Sequence, residues 1–234
     1  MTAHWHKYDD KHALITGLCA EIESRLQTAL TERGQASMAL SGGGTPMPLY
    51  AALAETELDW SKVTAVPTDE RWVPVSHAAN NLGQIAEQMP GADIRLLGLV
   101  PEAPAQTPVP ATARAALATL PDPFDVVIVG MGGDAHFASL FPRSPALAEG
   151  LDPESNETAL VVTPDPLPPE APYARISLSL SKLLATRYLV LLITGEGKRK
   201  VFEQAASSQA DANEMPIAAL IRAAGSRLNV FWSP

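Results

Sequence analysis

Near the start of the chain, apolar residues return every three or four positions, at Leu14, Ile15, Leu18, Ile22, Leu26, Ala29 and Leu30. That period puts them on one face of a helix, and Gly34 supplies a stop, so the spacing predicts an amphipathic helix over His12 to Arg33. The pattern then changes to short continuous apolar runs: Ala36 to Leu40, Val63 to Pro67, Phe124 to Val129, Leu160 to Thr163, Arg175 to Leu180, Tyr188 to Ile193 and Leu228 to Trp232. Helix-like stretches separate most of them, at Pro46 to Ala54, Asn81 to Gln88, Thr112 to Leu120, Gly197 to Ala206 and Pro216 to Ala223. Strand and helix in alternation predict an α/β fold, with a Rossmann-like, mainly parallel sheet covered by helices on both faces.

Two proline-rich stretches interrupt this order, Pro101 to Pro110 and Pro164 to Pro172. Cutting the chain at both would leave a piece of about sixty residues, below the ~100–150 typical of a domain, with its best strand severed from the others. Both therefore read as surface loops, and residues 1–234 as a single domain.

With 46% hydrophobic and 18% charged residues among 234, the chain can bury one sizeable core and is too apolar to be disordered. Lys and Arg number 17 against 26 Asp and Glu, a formal net charge of -9. That sign argues against nucleic acid or an anionic membrane as a partner, while a small anion needs only local positive charge. Cys19, the single cysteine, has no internal partner and reads as a buried thiol of the first helix. The polar opening through Asp10 has no apolar export core, and the apolar runs fall far short of the ~20 residues of a membrane-spanning helix. These features lead to the expectation of a soluble, cytoplasmic protein.

Four places carry candidate chemistry. In Leu40-Ser41-Gly42-Gly43-Gly44-Thr45-Pro46 an apolar run ends in three glycines and a helix begins at a proline. Glycines let a ligand approach backbone N–H groups, and free amides at a helix start favour an anion, so this loop is a candidate phosphate cradle assisted by the Ser41 and Thr45 hydroxyls. It would otherwise be an ordinary strand-to-helix turn. Thr68-Asp69-Glu70-Arg71-Trp72-Val73-Pro74 follows the run ending at Pro67, where charges beyond a strand's carboxyl end can converge on a substrate. A solvated ion-pair cluster would look the same.

The third place runs from Phe124 to Pro142, where a buried strand enters a glycine turn that delivers Asp134 and His136 at the sheet edge. Histidine titrates near neutral pH and is the usual general base, and a carboxylate two residues away can orient it. A structural histidine capping a short helix is the plainer alternative. Gly130-x-Gly132-x-x-Ala135 fits a dinucleotide fingerprint by letter, but Pro142 and Pro145 break the long helix that fingerprint needs. The fourth place is cationic: Arg175, able to act as a fork, and Lys198, a point charge next to a strand end; Arg199 and Lys200 read as a solvated face. His4 and His6 have metal-like spacing but lie in what reads as a frayed terminus without a third ligand, so no metal site is expected.

Taken in order, Ser41-Gly-Gly-Gly-Thr-Pro, Asp69-Glu-Arg-Trp-Val-Pro, Gly130-Met-Gly-Gly-Asp-Ala-His-Phe-Ala-Ser-Leu-Phe-Pro, Arg175-Ile-Ser-Leu-Ser and Gly197-Lys198 resemble the 6-phosphogluconolactonase family over nearly the whole chain. Ala135 and Phe137 stand where that family has glycine and threonine, and an alanine at 135 is strained if the turn needs a positive φ. His77-Ala-Ala-Asn-Asn81 matches further, and the resemblance implies that Asn81 would sit near the substrate. The related glucosamine-6-phosphate deaminases share the glycine loop, but Arg71 and Ala138-Ser-Leu-Phe-Pro142 favour the lactonases.

The resemblance implies hydrolysis of a phosphorylated sugar lactone. His136 would act as base, Arg71 would stabilise the oxyanion or sugar hydroxyls, and Asp134 or Asp69 would orient neighbouring groups. The phosphate would lie on Ser41, Gly42, Gly43, Gly44 and Thr45 with Arg175 and Lys198. No cofactor is implied, because a lactone carbonyl is already electrophilic and no hydride moves. A monomer or weak homodimer is expected. The alternatives are a glucosamine-6-phosphate deaminase-like enzyme and a non-catalytic sugar-phosphate sensor.

Overall fold

The computed structural model describes residues 3–167 and 172–234. The chain runs β1 (His4–Lys7), α1 (Lys11–Arg33), β2 (Ala36–Leu40), α2 (Met47–Ala54), β3 (Val63–Pro67), β4 (Asp69–Arg71), α3 (Asn81–Gln88), β5 (Arg95–Leu96), α4 (Ala111–Ala118), β6 (Phe124–Val129), α5 (Leu147–Gly150), β7 (Ala159–Val162), β8 (Arg175–Leu178), α6 (Leu180–Leu184), β9 (Thr186–Thr194), α7 (Glu196–Ala205), α8 (Ile217–Ala224) and β10 (Leu228–Ser233). Seven strands form a parallel sheet in the order β1-β10-β9-β6-β2-β3-β5.

Successive residues of each central strand serve opposite faces, as the pleat requires. Val126 and Ile128 of β6 pack with Leu14, Leu18, Ile22 and Leu26 of α1 and with Leu49 and Leu53 of α2. Val127 and Val129 pack the other way, with Ala113 of α4, Phe202 of α7 and Leu220 of α8. Helices therefore cover both faces, as the α/β reading predicts, and the two apolar layers explain why the strands read as continuous apolar runs. Asp10 starts α1, accepting from the Ala13 amide at 2.8 Å, and Gly34 closes it.

Three features depart from the expectations. Leu160 to Thr163 and Arg175 to Leu180 do not join the parallel sheet; β7 and β8 form a separate antiparallel sheet with β4, in the order β4-β8-β7. The Arg175 run is also shorter than its apolar pattern, because Ser179 caps α6 by accepting from the Lys182 amide at 3.2 Å. Finally, His4 and His6 are not in a frayed terminus: β1 pairs in parallel with β10, and His6 stacks on Phe231 at 4.3 Å between ring centroids.

Pro101 to Pro110 carries no helix or strand and none of its residues is buried. Within Pro164 to Pro172, residues 168–171 lie outside the described residues, as do Met1 and Thr2 at the start of the chain. No described helix is long and apolar enough to cross a membrane.

Candidate active site

Sheet order fixes where a ligand can enter. From β2 the chain builds outward through β3 on one side, while β6 lies on the other, so the carboxyl ends of β2 and β6 flank a switch point where a crevice opens. The segments after β2, β3 and β6 meet there, joined by the first turn of α7, and enclose a cleft of about 230 Å³.

After β2 comes the glycine loop. Tyr50 of α2, fully buried, donates its hydroxyl to the Ser41 carbonyl at 2.7 Å and anchors the start of the loop. The amides of Gly42, Gly43, Gly44 and Thr45 donate to no backbone carbonyl among the described residues. They lie just before α2 and so remain available to an anion. Ser41 Oγ is buried on the cleft wall without a hydrogen-bond partner.

After β3, the charged run Asp69-Glu70-Arg71 is itself a strand, β4, paired antiparallel with β8. Asp69 is 8% exposed; its Oδ2 accepts from Ser139 Oγ at 2.5 Å and its Oδ1 from Thr68 Oγ1 at 3.2 Å. Arg71 reaches the cleft while donating from Nη1 to the Ala79 carbonyl at 2.6 Å. Asn81 opens α3 and donates from Nδ2 to the Asp69 carbonyl at 2.8 Å, which leaves its buried Oδ1 unpartnered and turned toward Gly42. A Cβ at Gly42 would collide with that oxygen, so this approach of loop to amide requires glycine.

The turn after β6 brings His136 to the cleft, where its Nδ1 lies 2.5 Å from Asp134 Oδ1. A Cβ on Gly132 would strike both side chains, so their pairing depends on that glycine. Burial raises the Asp134 carboxyl, but the hydrogen bond and charge of His136, with backbone N–H groups, outweigh it and hold the carboxyl below its ordinary range. Behind the imidazole stands Phe141, at 4.3 Å between centroids. Ala135 has φ 67°, the positive value that makes alanine strained, and its amide closes the turn onto the Gly132 carbonyl at 3.1 Å. Phe137 is fully buried in the core, turned away from the cleft wall.

Lys198 reaches the cleft from the first turn of α7, and burial lowers its ammonium below the usual lysine value, which an adjacent anion would oppose. Arg199, by contrast, pairs with Glu203 and Glu196 on its own helix.

Ten of the residues singled out from the sequence thus line one cleft: Ser41, Gly42, Gly43, Gly44, Thr45, Asp69, Arg71, Asn81, His136 and Lys198. Asp134 stands behind His136 rather than on the wall. Arg175 is not brought to it either: only 3% exposed, it lies on β8 directly opposite Arg71 of β4, under the Phe141 ring and donating to the Tyr173 carbonyl at 2.7 Å. Pro46, Gly130, Met131, Gly132 and Ala138, quoted within the motifs but given no role of their own, also contribute wall, as does Leu192 of β9, which no motif covers. Sequence reasoning also gave no role to Ser139, although its place in the quoted Ala-Ser-Leu-Phe-Pro run was the available signal. Among the described residues, no group of three or more His, Cys, Asp or Glu could hold a metal ion.

Comparison with known proteins places residues 9–232 on the family model described as glucosamine-6-phosphate isomerases/6-phosphogluconolactonase. A 6-phosphogluconolactonase of Rhizobium meliloti is 38% identical over 237 residues, covering 100% of both chains. One from Pseudomonas putida is 38% identical over 232 residues, covering 98% of this chain and 92% of its own. The crystal structure of a 6-phosphogluconolactonase from Shewanella baltica superposes with a TM-score of 0.88 at 34% identity, covering 99% of this chain and 98% of that one.

Proposed function

Because the chain belongs to the glucosamine-6-phosphate isomerase/6-phosphogluconolactonase family, we propose that it hydrolyses 6-phospho-D-glucono-1,5-lactone to 6-phosphogluconate in the oxidative pentose phosphate pathway, with His136 as general base. The observation that carries the reading is the His136–Asp134 pair facing a glycine loop whose amides are open to an anion.

With Nδ1 bonded to Asp134, His136 presents Nε2 as the acceptor for a proton. It takes that proton from a water as the oxygen attacks the lactone carbonyl, then returns it to the ring oxygen as the C–O bond breaks. Arg71 supports the oxyanion or the sugar hydroxyls, and Ser41 Oγ and Asn81 Oδ1, buried without partners, offer further polar contacts. The phosphate takes the amides of Gly42 to Thr45 together with Lys198. Arg175 contributes positive charge from behind Arg71. Asp69 holds the wall through Ser139 and Asn81. The chain acts as one domain, in the cytoplasm, as a monomer or weak homodimer, on a small phosphorylated lactone, without a cofactor.

The test is hydrolysis of freshly generated lactone by the protein and by His136→Ala, after subtraction of the spontaneous reaction. Acceleration by the parent and not by the variant is expected. Neither exceeding the blank while 6-phosphogluconate still raises Tm would turn the reading to a sensor, and ammonia release from glucosamine 6-phosphate would turn it to a deaminase.

A further inference from the structure

Glu70 sits between Asp69 and Arg71, two residues of the cleft wall, yet contributes nothing to that wall itself. Its side chain is 1% exposed and folds back among backbone amides. Oε1 accepts from the Arg71 amide at 2.8 Å and from the Asn81 amide at 2.7 Å, and Oε2 accepts from the Leu82 amide at 2.9 Å. Arg71 ends β4 and Asn81 begins α3, so a single oxygen bridges the main chains of two wall residues on different elements.

We infer that Glu70 is a positioning residue: through Oε1 it fixes the spacing between Arg71 and Asn81, and with it the span their side chains offer the sugar. Capping α3 explains only part of this: Asn80 accepts from the Gly83 amide at 2.8 Å and Glu70 takes the preceding Asn81 and Leu82 amides, but the Arg71 amide on the same Oε1 belongs to β4 and not to the helix. Nor is Glu70 a surface group that happens to bond nearby, since a buried carboxylate is tolerated only where it is well bonded. Two further bonds complete the same frame: Asn81 Nδ2 to the Asp69 carbonyl, and Arg71 Nη1 to the Ala79 carbonyl. Held on both sides, Asn81 keeps its buried Oδ1 against the Gly42 backbone, and Arg71 its guanidinium at the cleft, in advance of substrate.

The inference rests on the lactonase reading for its consequence but not for its first measurement. An amide at position 70 keeps one oxygen, enough for both Oε1 bonds, and sets its NH2 against the Leu82 amide, so the loss is confined to that side. Glu70→Gln is therefore expected to leave the Arg71 Nε–H and Asn81 Nδ2 NMR resonances at their parental shifts, whereas Glu70→Ala moves both. Where Glu70→Ala does not fold, Glu70→Asp, one methylene too short for both amides, takes its place.

In the lactone assay, Glu70→Gln is expected to stay within about threefold of the parent kcat/KM and Glu70→Ala to fall about tenfold or more. Adding Glu70→Ala to the Arg71→Ala, Asn81→Ala double variant should cost less than about twofold further in kcat/KM, or in 6-phosphogluconate affinity where turnover is undetectable, because the residues through which it acts are gone. Unmoved resonances in Glu70→Ala, or the same tenfold loss in the double-variant background, would overturn the inference. Lack of lactonase activity in the parent would sink the functional reading alone.

Discussion

Ser139 Oγ lies 2.5 Å from Asp69 Oδ2, a bond between buried residues 70 positions apart that ties the strand carrying Arg71 to the turn carrying His136. Removing the hydroxyl leaves a buried carboxylate oxygen without its donor. Hydrogen bonds to charged groups are worth about 1.5–3 kcal/mol, so Ser139→Ala should lose about that much stability in urea titration. A loss below about 0.5 kcal/mol would mean the bond is not made in solution.

His136 and Lys198 should fail differently. If His136 moves the proton and Lys198 holds the phosphate, His136→Ala lowers kcat by about 10²–10⁴ with little change in KM, and Lys198→Ala chiefly raises KM. Asp134→Asn should follow the histidine pattern, since its carboxylate bonds Nδ1 and not the cleft. Steady-state kinetics on the three variants decide this, and equal effects on kcat and KM in all of them would refute the division of roles.

Ala135 would gain from replacement by glycine. At φ 67° alanine costs about 1–2 kcal/mol in the left-handed region, and the extra freedom of glycine in the unfolded chain returns about 0.4–1 kcal/mol of that. Ala135→Gly should stabilise by up to about 1 kcal/mol, raising Tm by about 2–4 °C with kcat unchanged. A fall in Tm by calorimetry would show that the turn does not hold this conformation.

Glu70 gives stability a pH dependence of definite sign. Burial, opposed by its backbone hydrogen bonds, pushes its carboxyl up to about 7 from an ordinary 4.5. Between those values the folded chain binds the proton more than the unfolded chain does, so this contribution is full below about 4.5 and declines as pH rises to about 7, by about 3 kcal/mol in all. Urea unfolding across that window should show the decline in the parent and a flatter profile in Glu70→Gln. Equal slopes would assign the pH dependence elsewhere.

The parallel sheet was legible because its strands are buried on both faces. Ala36–Leu40, Val63–Pro67 and Phe124–Val129 fall where their apolar runs do, to the residue. β4 was not, because a strand spelled Asp-Glu-Arg has no apolar side; its burial depends on amide donors and on Ser139, contacts made only after the chain folds. β1 was hidden for a similar reason, since His-Trp-His-Lys has no strand signature and is ordered by pairing with β10. In the cleft, local signals such as consecutive glycines or a histidine after a strand pointed to wall residues. What the sequence did not show for Arg175 was its register: its chemistry suits an anion, and pairing opposite Arg71 seats it behind the wall and off the lining.

The first strand of the chain has a single neighbour in the sheet, and that neighbour is the last. His6 finds Asn229 across 223 positions of sequence. During synthesis, then, His4–Lys7 must wait, unpaired, until residues 228–233 have emerged, while the centre of the sheet, β2 with β3 and β6, has all its members by residue 129. Loop closure grows only with the logarithm of length, so the wait adds about 2 kcal/mol over a closure a tenth as long. The far edge of the sheet can therefore close only once translation has reached β10, whereas the pairing of β2 with β3 and β6 needs nothing beyond residue 129.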